Sequence, residues 1–420
     1  MAEPEPEARA RWIHGSGIVA LLMGESPKIT DPLTALETAR RQFDEAEDFT
    51  IAIEEEFAIL DPDTLEMTAG FERFADAAAG HPTLDGMVAG ELIRSEVEVK
   101  TGKCETFPEA AETMARRRVA LFELADSLGY RLCAAGTHPY SRWQDQQVID
   151  TPHYQIVEST LRYVAWRNNT FGLHVHVAVR GADRAIAVNN ALRTVLPELL
   201  AFSSSSPWLE GRHTHLHSTR TEIFTKFFPR CGIPDSFRGW DDYADFVRFL
   251  IATRSIREHT EIWWSVRPHQ AYPTVETRIC DGQPDYRRSI ALSGMMVALT
   301  ADFARRYDAG EPLPEHPHRD LEENFWRAIR WGMSGELIDL DARRSIPAGE
   351  RLEQLLEQVS GTAQELGIAP YLDPLREPTL SQRMGRRLDE GARLHDLWPE
   401  VVDSTHRSAG EWLAAREPAR

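Results

Sequence analysis

Apolar and polar residues alternate with period two in several short runs. They are "IAIEEEFAIL" from Ile51, "SEVEVKTG" from Ser95, "FGLHVHVAVRG" from Phe171 and "PTVETRICDG" from Pro273. Strict alternation predicts half-buried strands. Other stretches carry the helical period. "PEAAETMARRRVALFELADSLGY" (108–130) has Pro at its start and Gly129 just past its end, which predicts an amphipathic helix. Helices are also predicted from Ala182 into the serine run, and over 288–307. Beyond about residue 315 everything periodic is helical. Strands separated by helices and hairpins, followed by a helical C-terminal portion, imply an α+β fold. Residues 1–47 carry little period and are expected to be a poorly ordered or loosely docked extension, with residues 48–420 forming one catalytic domain.

The strands hold an unusual set of polar residues. With period two, Glu54 and Glu56 share one face while Glu55 points to the other. By the same rule Glu96 pairs with Glu98, His174 with His176, and Glu276 with Arg278, each with apolar residues behind. One such strand is what a half-solvated antiparallel sheet looks like. Four of them, almost all Glu and His, would gather several carboxylates within a few ångströms on a shared face. Like charges that close raise one another's pKa and destabilise the fold unless cations lie between them. Glu and His ligands suit Mg²⁺ or Mn²⁺.

Composition narrows the function. The chain has 420 residues and a formal net charge of −19, with no basic run of the kind a nucleic-acid binder presents. An anionic substrate would therefore need local help from metal ions or arginines. The four cysteines, Cys104, Cys133, Cys231 and Cys280, are far apart and lack a CxxC pattern, as expected of reduced thiols in a cytoplasm. No apolar run reaches the length of a membrane span. "GSGIVA" (15–20) matches the dinucleotide fingerprint but does not follow a buried strand, and there is no P-loop or nucleophile elbow. "GRHTHLHSTR" places His213, His215 and His217 at alternating positions; it reads as a solvated surface loop or as a second metal site.

Taken in order, "IAIEEEF", "SEVEVKTG", "AAGTHP", "FGLHVHV", "SSSSPWLEGR", "IWWSVRPH", "VETRICD" and "ENFWRAIRWGMSGELID" resemble the type 2 glutamate–cysteine ligase family of bacterial carboxylate-amine ligases over residues 49–385. The resemblance implies a curved antiparallel sheet of the glutamine synthetase and guanido kinase type, whose concave face holds ATP and two or more Mg²⁺ (or Mn²⁺) ions. It implies one metal held by Glu56, Glu91 and Glu98, and a second by Glu54, His174 and Glu276. Arg278 would face the phosphates, Arg212 would contact substrate or phosphate, and Glu55 would be structural. The implied reaction joins glutamate to cysteine, or another acid to another amine, through an acyl phosphate. The alternative is a metal-dependent amidase or hydrolase on the same face. The partners implied are small molecules, with no nucleic acid or membrane; a homo-oligomer is left open. Three positions depart from the family pattern: Glu96 where Gln is common, Ser205 where Asn is usual, and "HTHLH" in a loop expected to touch the amino-acid substrate.

Overall fold

The computed structural model describes residues 32–416. The "GSGIVA" stretch and the rest of the first 31 residues lie outside the described residues. Helix α1 (Pro32–Glu45) buries Leu36, Ala39 and Phe43. The expectation of a poorly ordered or loosely docked extension reaching residue 47 therefore does not hold for this segment. Its apolar positions at i, i+3 and i+7 form one stripe.

The sheet is built from β1 (Ile51–Leu60), β2 (Val88–Ala89), β3 (Glu96–Lys100), β4 (Arg131–Cys133), β5 (Gly172–Ala178), β6 (Val266–Pro268) and β7 (Thr274–Asp281). Its order is β6-β7-β5-β1-β3-β2, with β4 pairing the end of β1, and every pairing is antiparallel. The sheet is open, and it has two different faces.

One face is apolar: Ile51, Ile53, Phe57 and Ile59 of β1 lie beside Val97 and Val99 of β3 and Leu173, Val175 and Val177 of β5, all buried. Two long helices meet this face, α2 (Phe107–Leu128) and α3 (Tyr286–Asp308). Helix α2 begins where Thr106 accepts a hydrogen bond from the Glu109 amide and stops at Gly129, whose φ of +76° is the left-handed C-cap. Asp285 caps α3 in the same manner, accepting from the Arg287 amide at 2.9 Å. The C-terminal portion is mostly helical but not wholly so: Glu336–Asp339 and Arg344–Pro347 form a hairpin. The apolar alternation there is too short to read as a strand from sequence.

Glu55 is the single charge of β1 on the apolar face. Arg118 of α2 lies 3.2 Å away with no exposed surface. Ser289 of α3 also donates to Glu55. The same guanidinium donates to the carbonyls of Gln283 (3.1 Å), Pro284 (2.8 Å) and Thr405 (3.4 Å), and stacks over Phe57, Phe122 and Tyr286. One buried ion pair thus fastens the sheet to both helices and to the C-terminal helix. Truncating one member leaves the other charge buried alone, which costs about 3–5 kcal/mol. Arg118→Ala is expected to lower the unfolding free energy by that amount in denaturant titrations. The double replacement Glu55→Leu/Arg118→Met should recover most of the loss. A single-variant loss below about 1 kcal/mol would contradict this role.

Candidate active site

The opposite face of the sheet carries the charged residues, and the register fixes their neighbours. In antiparallel pairing, residues directly opposite point to the same face. Glu54 of β1 sits between Lys100 of β3 and His174 of β5. Glu56 faces Glu98, and Ala58 faces Glu96. One row over, His176 faces Glu276, which in turn faces Arg267 of β6. A bulge follows Thr277, yet the Arg278 side chain still reaches Glu276. The result is a lattice of alternating carboxylates, imidazoles and cations, lining a cavity with Glu91 on the loop after β2.

The wall over this floor comes from loops and helices. Helix α4 has to be read from three-dimensional packing alone: Thr219–Phe227 is capped by Ser218 and carries Arg220 and Phe224 into the cavity. Arg220 is held by the carbonyls of Ile279 (3.1 Å) and Arg278 (3.3 Å). The Pro152–Leu161 helix contributes His153, Tyr154 and Val157, and the Tyr154 hydroxyl donates to the Gly90 carbonyl at 2.7 Å. The serine run makes a support: Ser205 and Ser206 bond Asp281 at 2.9 and 2.7 Å, and Ser218 bonds it at 2.8 Å. Gly136 packs so closely that a Cβ there would lie 2.7 Å from the Asp281 carboxylate. Ser205 therefore has a structural place at the end of β7.

Three groups of ligand atoms come within 4.8 Å of one another on this floor: Glu56, Glu91 and Glu98; Glu54, His176 and Glu276; Glu54, Glu98 and His174. The first is the trio expected from sequence. The second contains His176 where His174 was expected: His176 Nε2 is 3.7 Å from both Glu54 and Glu276. His174 instead lies between Glu54 (3.7 Å) and Glu56 (3.6 Å). Both histidines sit on one face of β5, so alternation could not choose between them; the pairing register does. Arg212 is not brought to the site. It lies exposed on a Trp208–His213 hairpin, and neither it nor the histidines after it line the cavity. The basic residues that do are Lys100, Arg220, Arg267 and Arg278. Lys100 was legible, since it continues the alternation of Glu96 and Glu98. Arg267 belongs to the "IWWSVRPH" motif, which by itself assigns it no role.

Electrostatics divide the floor in two. Burial pushes Glu276 up, but Arg267 (2.6 Å) and Arg278 outweigh it and hold its carboxyl well below the usual range. Burial likewise opposes ionisation of Glu54, and Lys100 with hydrogen bonds from both histidines keeps it ionised. On the β3 side burial wins. It raises Glu91 to about 7, with Glu56 adding to the effect, and raises Glu96 and Glu98 well above the carboxylate range despite Lys100 at 2.7 Å from Glu98. The buried Glu96 Oε2 has no hydrogen-bond partner. A floor with surplus buried carboxylates, an unpartnered carboxylate oxygen and two imidazoles fits divalent cations.

These raised values set a pH dependence. Glu91, Glu96 and Glu98 bind protons more tightly folded than unfolded, so metal-free protein should lose stability as pH rises from about 4.5 through 7. Mg²⁺ relieves the same repulsion only once the carboxylates are ionised. The rise in Tm on adding Mg²⁺ is therefore expected to be larger at pH 8 than at pH 6. An equal or smaller rise at pH 8, measured by calorimetry, would contradict a cation held by carboxylates with raised pKa values.

The model of glutamate–cysteine ligase family 2 matches residues 50–395. A protein from Sorangium cellulosum, named "Putative glutamate--cysteine ligase 2", is 38% identical over 328 residues, covering 78% of this chain and 87% of its own. A Rubrobacter xylanophilus protein named "Putative glutamate--cysteine ligase 2-2" is 36% identical over 335 residues, covering 80% and 85%. The crystal structure of glutamate–cysteine ligase from Francisella tularensis in complex with AMP superposes with a TM-score of 0.64 at 13% identity, over 89% of this chain and 91% of that one. A bifunctional glutathione synthetase from Pasteurella multocida gives 0.61 at 14% identity, over 91% of this chain and 55% of that one. Those two likenesses establish a shared fold; the sequence matches establish that the chain belongs to glutamate–cysteine ligase family 2.

Proposed function

We propose that this ATP-dependent carbon–nitrogen ligase joins the carboxylate of glutamate to the amine of cysteine through an acyl phosphate. The observation that carries the reading is the lattice of carboxylates and histidines across β3, β1, β5 and β7, flanked at one edge by Arg220, Arg267 and Arg278. Glu56, Glu91 and Glu98 would hold one divalent ion, and Glu54, His176 and Glu276 another. Bound Mg²⁺ or Mn²⁺ supplies charge neutralisation and polarisation of the phosphoryl oxygens.

The chain's own residues supply the rest. Arg278 and Arg267 are locked on Glu276, so their charge is positioned before substrate arrives. Arg220 is fixed by two backbone carbonyls and presents its remaining face to the cavity. Preorganised cations of this kind stabilise charge developing on a transferring phosphoryl group. A substrate carboxylate oxygen attacks the γ-phosphorus and ADP leaves. The acceptor amine nitrogen then attacks the acyl carbon, phosphate departs, and the amine loses a proton. Tyr154, Phe224 and Trp263 wall the cavity and keep the acyl phosphate from water.

A metal-dependent amidase or hydrolase would use the same carboxylates, but it has no use for three arginines lining the cavity beside them. The free cysteines and the absence, among the described residues, of a helix able to cross a membrane accord with a cytoplasmic enzyme.

The test is ADP release with Mg-ATP, glutamate and cysteine, with the product identified by mass. γ-Glutamylcysteine is expected, and Glu276→Gln should lower kcat by about 100-fold or more while the protein stays folded by circular dichroism. Wild-type turnover in that variant would sink the assignment. Hydrolysis of γ-glutamylcysteine without ATP would establish the hydrolase in its place.

A further inference from the structure

The histidine loop that sequence comparison set apart does not enter the active-site cavity. It lines a second cavity, between the Trp208–His213 hairpin and the helix Leu380–Asp389. There His213 Nδ1 lies 3.4 Å from Asp389 Oδ1, and His215 Nδ1 lies 3.9 Å from the same oxygen. The two imidazole rings are 4.2 Å apart, and one ligand atom from each of the three residues falls within 4.8 Å of the others. We propose that His213, His215 and Asp389 form a second metal site, for a zinc-class divalent cation, which ties the hairpin to the C-terminal helices.

The chemistry selects the ion. Two imidazoles and one carboxylate suit Zn²⁺, Co²⁺ or Ni²⁺ and not Mg²⁺, which requires oxygen ligands and retains its water. In a tetrahedral zinc site with bonds of about 2.0–2.1 Å, neighbouring ligand atoms are about 3.4 Å apart. His213 and Asp389 already stand at that separation. His215 must close by about 0.5 Å, and its side chain is 64% exposed and free to turn. A fully solvated loop would show three outward imidazoles; here the His213 side chain is only 17% exposed and faces Asp389. His217 is not part of the set. It packs against Gly332, where a Cβ would lie 2.7 Å from its Nδ1. Arg330 and Arg386 line the same cavity, and their charge favours an anion as the remaining ligand.

The location has a structural consequence. Arg330 donates to the His215 carbonyl, and the chain runs within a few residues from His215 to Ser218, which bonds Asp281 and caps α4. Arg220 follows in the first turn of that helix and lines the active site. An ion on the loop would brace the segment that delivers Arg220.

The experiment is a Zn²⁺ titration of the full, tag-free chain against a chromophoric chelator, with Mg²⁺ in large excess to hold the carboxylate floor. His215→Ala and Asp389→Asn are suitable variants, because both side chains are more than 60% exposed and neither should endanger folding. Wild type is expected to bind one equivalent that each variant weakens by at least about tenfold. Zn²⁺ should raise the Tm of wild type and not of the variants. Co²⁺ should give the visible bands of a tetrahedral site in wild type alone. Identical Zn²⁺ binding by all three proteins would overturn the proposal. So would stabilisation by inorganic phosphate alone, undiminished in both variants, which would assign the cavity to Arg330 and Arg386 as an anion site.

Discussion

The structure is organised around the repulsion among carboxylates on one buried face of a sheet. Glu54, Glu56, Glu91, Glu96, Glu98 and Glu276 converge there, while Lys100, Arg220, Arg267 and Arg278 are the fixed cations available to offset them. The offset is uneven. Beside β7 two arginines grip Glu276, while beside β3 Lys100 pairs with both Glu54 and Glu98, and His174 and His176 also bond Glu54. Protein cations thus collect at the β7 side of the floor, and the largest excess of carboxylate over protein cation lies at the β3 side.

A face this unfavourable needs a rigid backing, and the opposite side of β1 provides it. Glu54 and Glu56 face the cavity while Glu55, between them, reaches through to Arg118 and Ser289. The three consecutive glutamates thus serve two chemistries separated by the thickness of one strand. On the cavity side the charge is left for ligands. On the core side it is satisfied by a guanidinium that also bonds three backbone carbonyls. This keeps the strand from rotating its charged face away from its neighbours, since a twist would break the buried pair.

Alternation made the strand faces legible, and with them Glu54, Glu56, Glu98 and Glu276 and the separate role of Glu55. It could not give strand order or register, because period two repeats at every second residue. Choosing His176 over His174 for the Glu54–Glu276 group requires knowing that His176 stands opposite Glu276. Arg220 and Arg212 show the same limit at longer range. The two are eight residues apart in one loop-rich segment, and only the helix cap at Ser218 turns one inward and leaves the other on the hairpin. Helix α1 escaped notice because its apolar stripe is narrow and follows an acidic, proline-bearing stretch.

The substrate-facing part of the chain is therefore smaller than the motifs suggested. The resemblance assigned the "HTHLH" loop to the amino-acid substrate, yet His213 and His215 lie beside Asp389 in another cavity. The first cavity is walled above its carboxylate floor by His153, Tyr154, Phe224, Trp263 and Tyr272 among others. Of these, His153 and Tyr154 belong to a helix with no buried residues, anchored to the sheet by the Tyr154–Gly90 hydrogen bond. Few buried contacts mean a low free energy of local opening. In the reaction proposed above, entry of substrate and exclusion of water would place opposite demands on this wall, and a lightly packed helix over a rigid charged floor is suited to both.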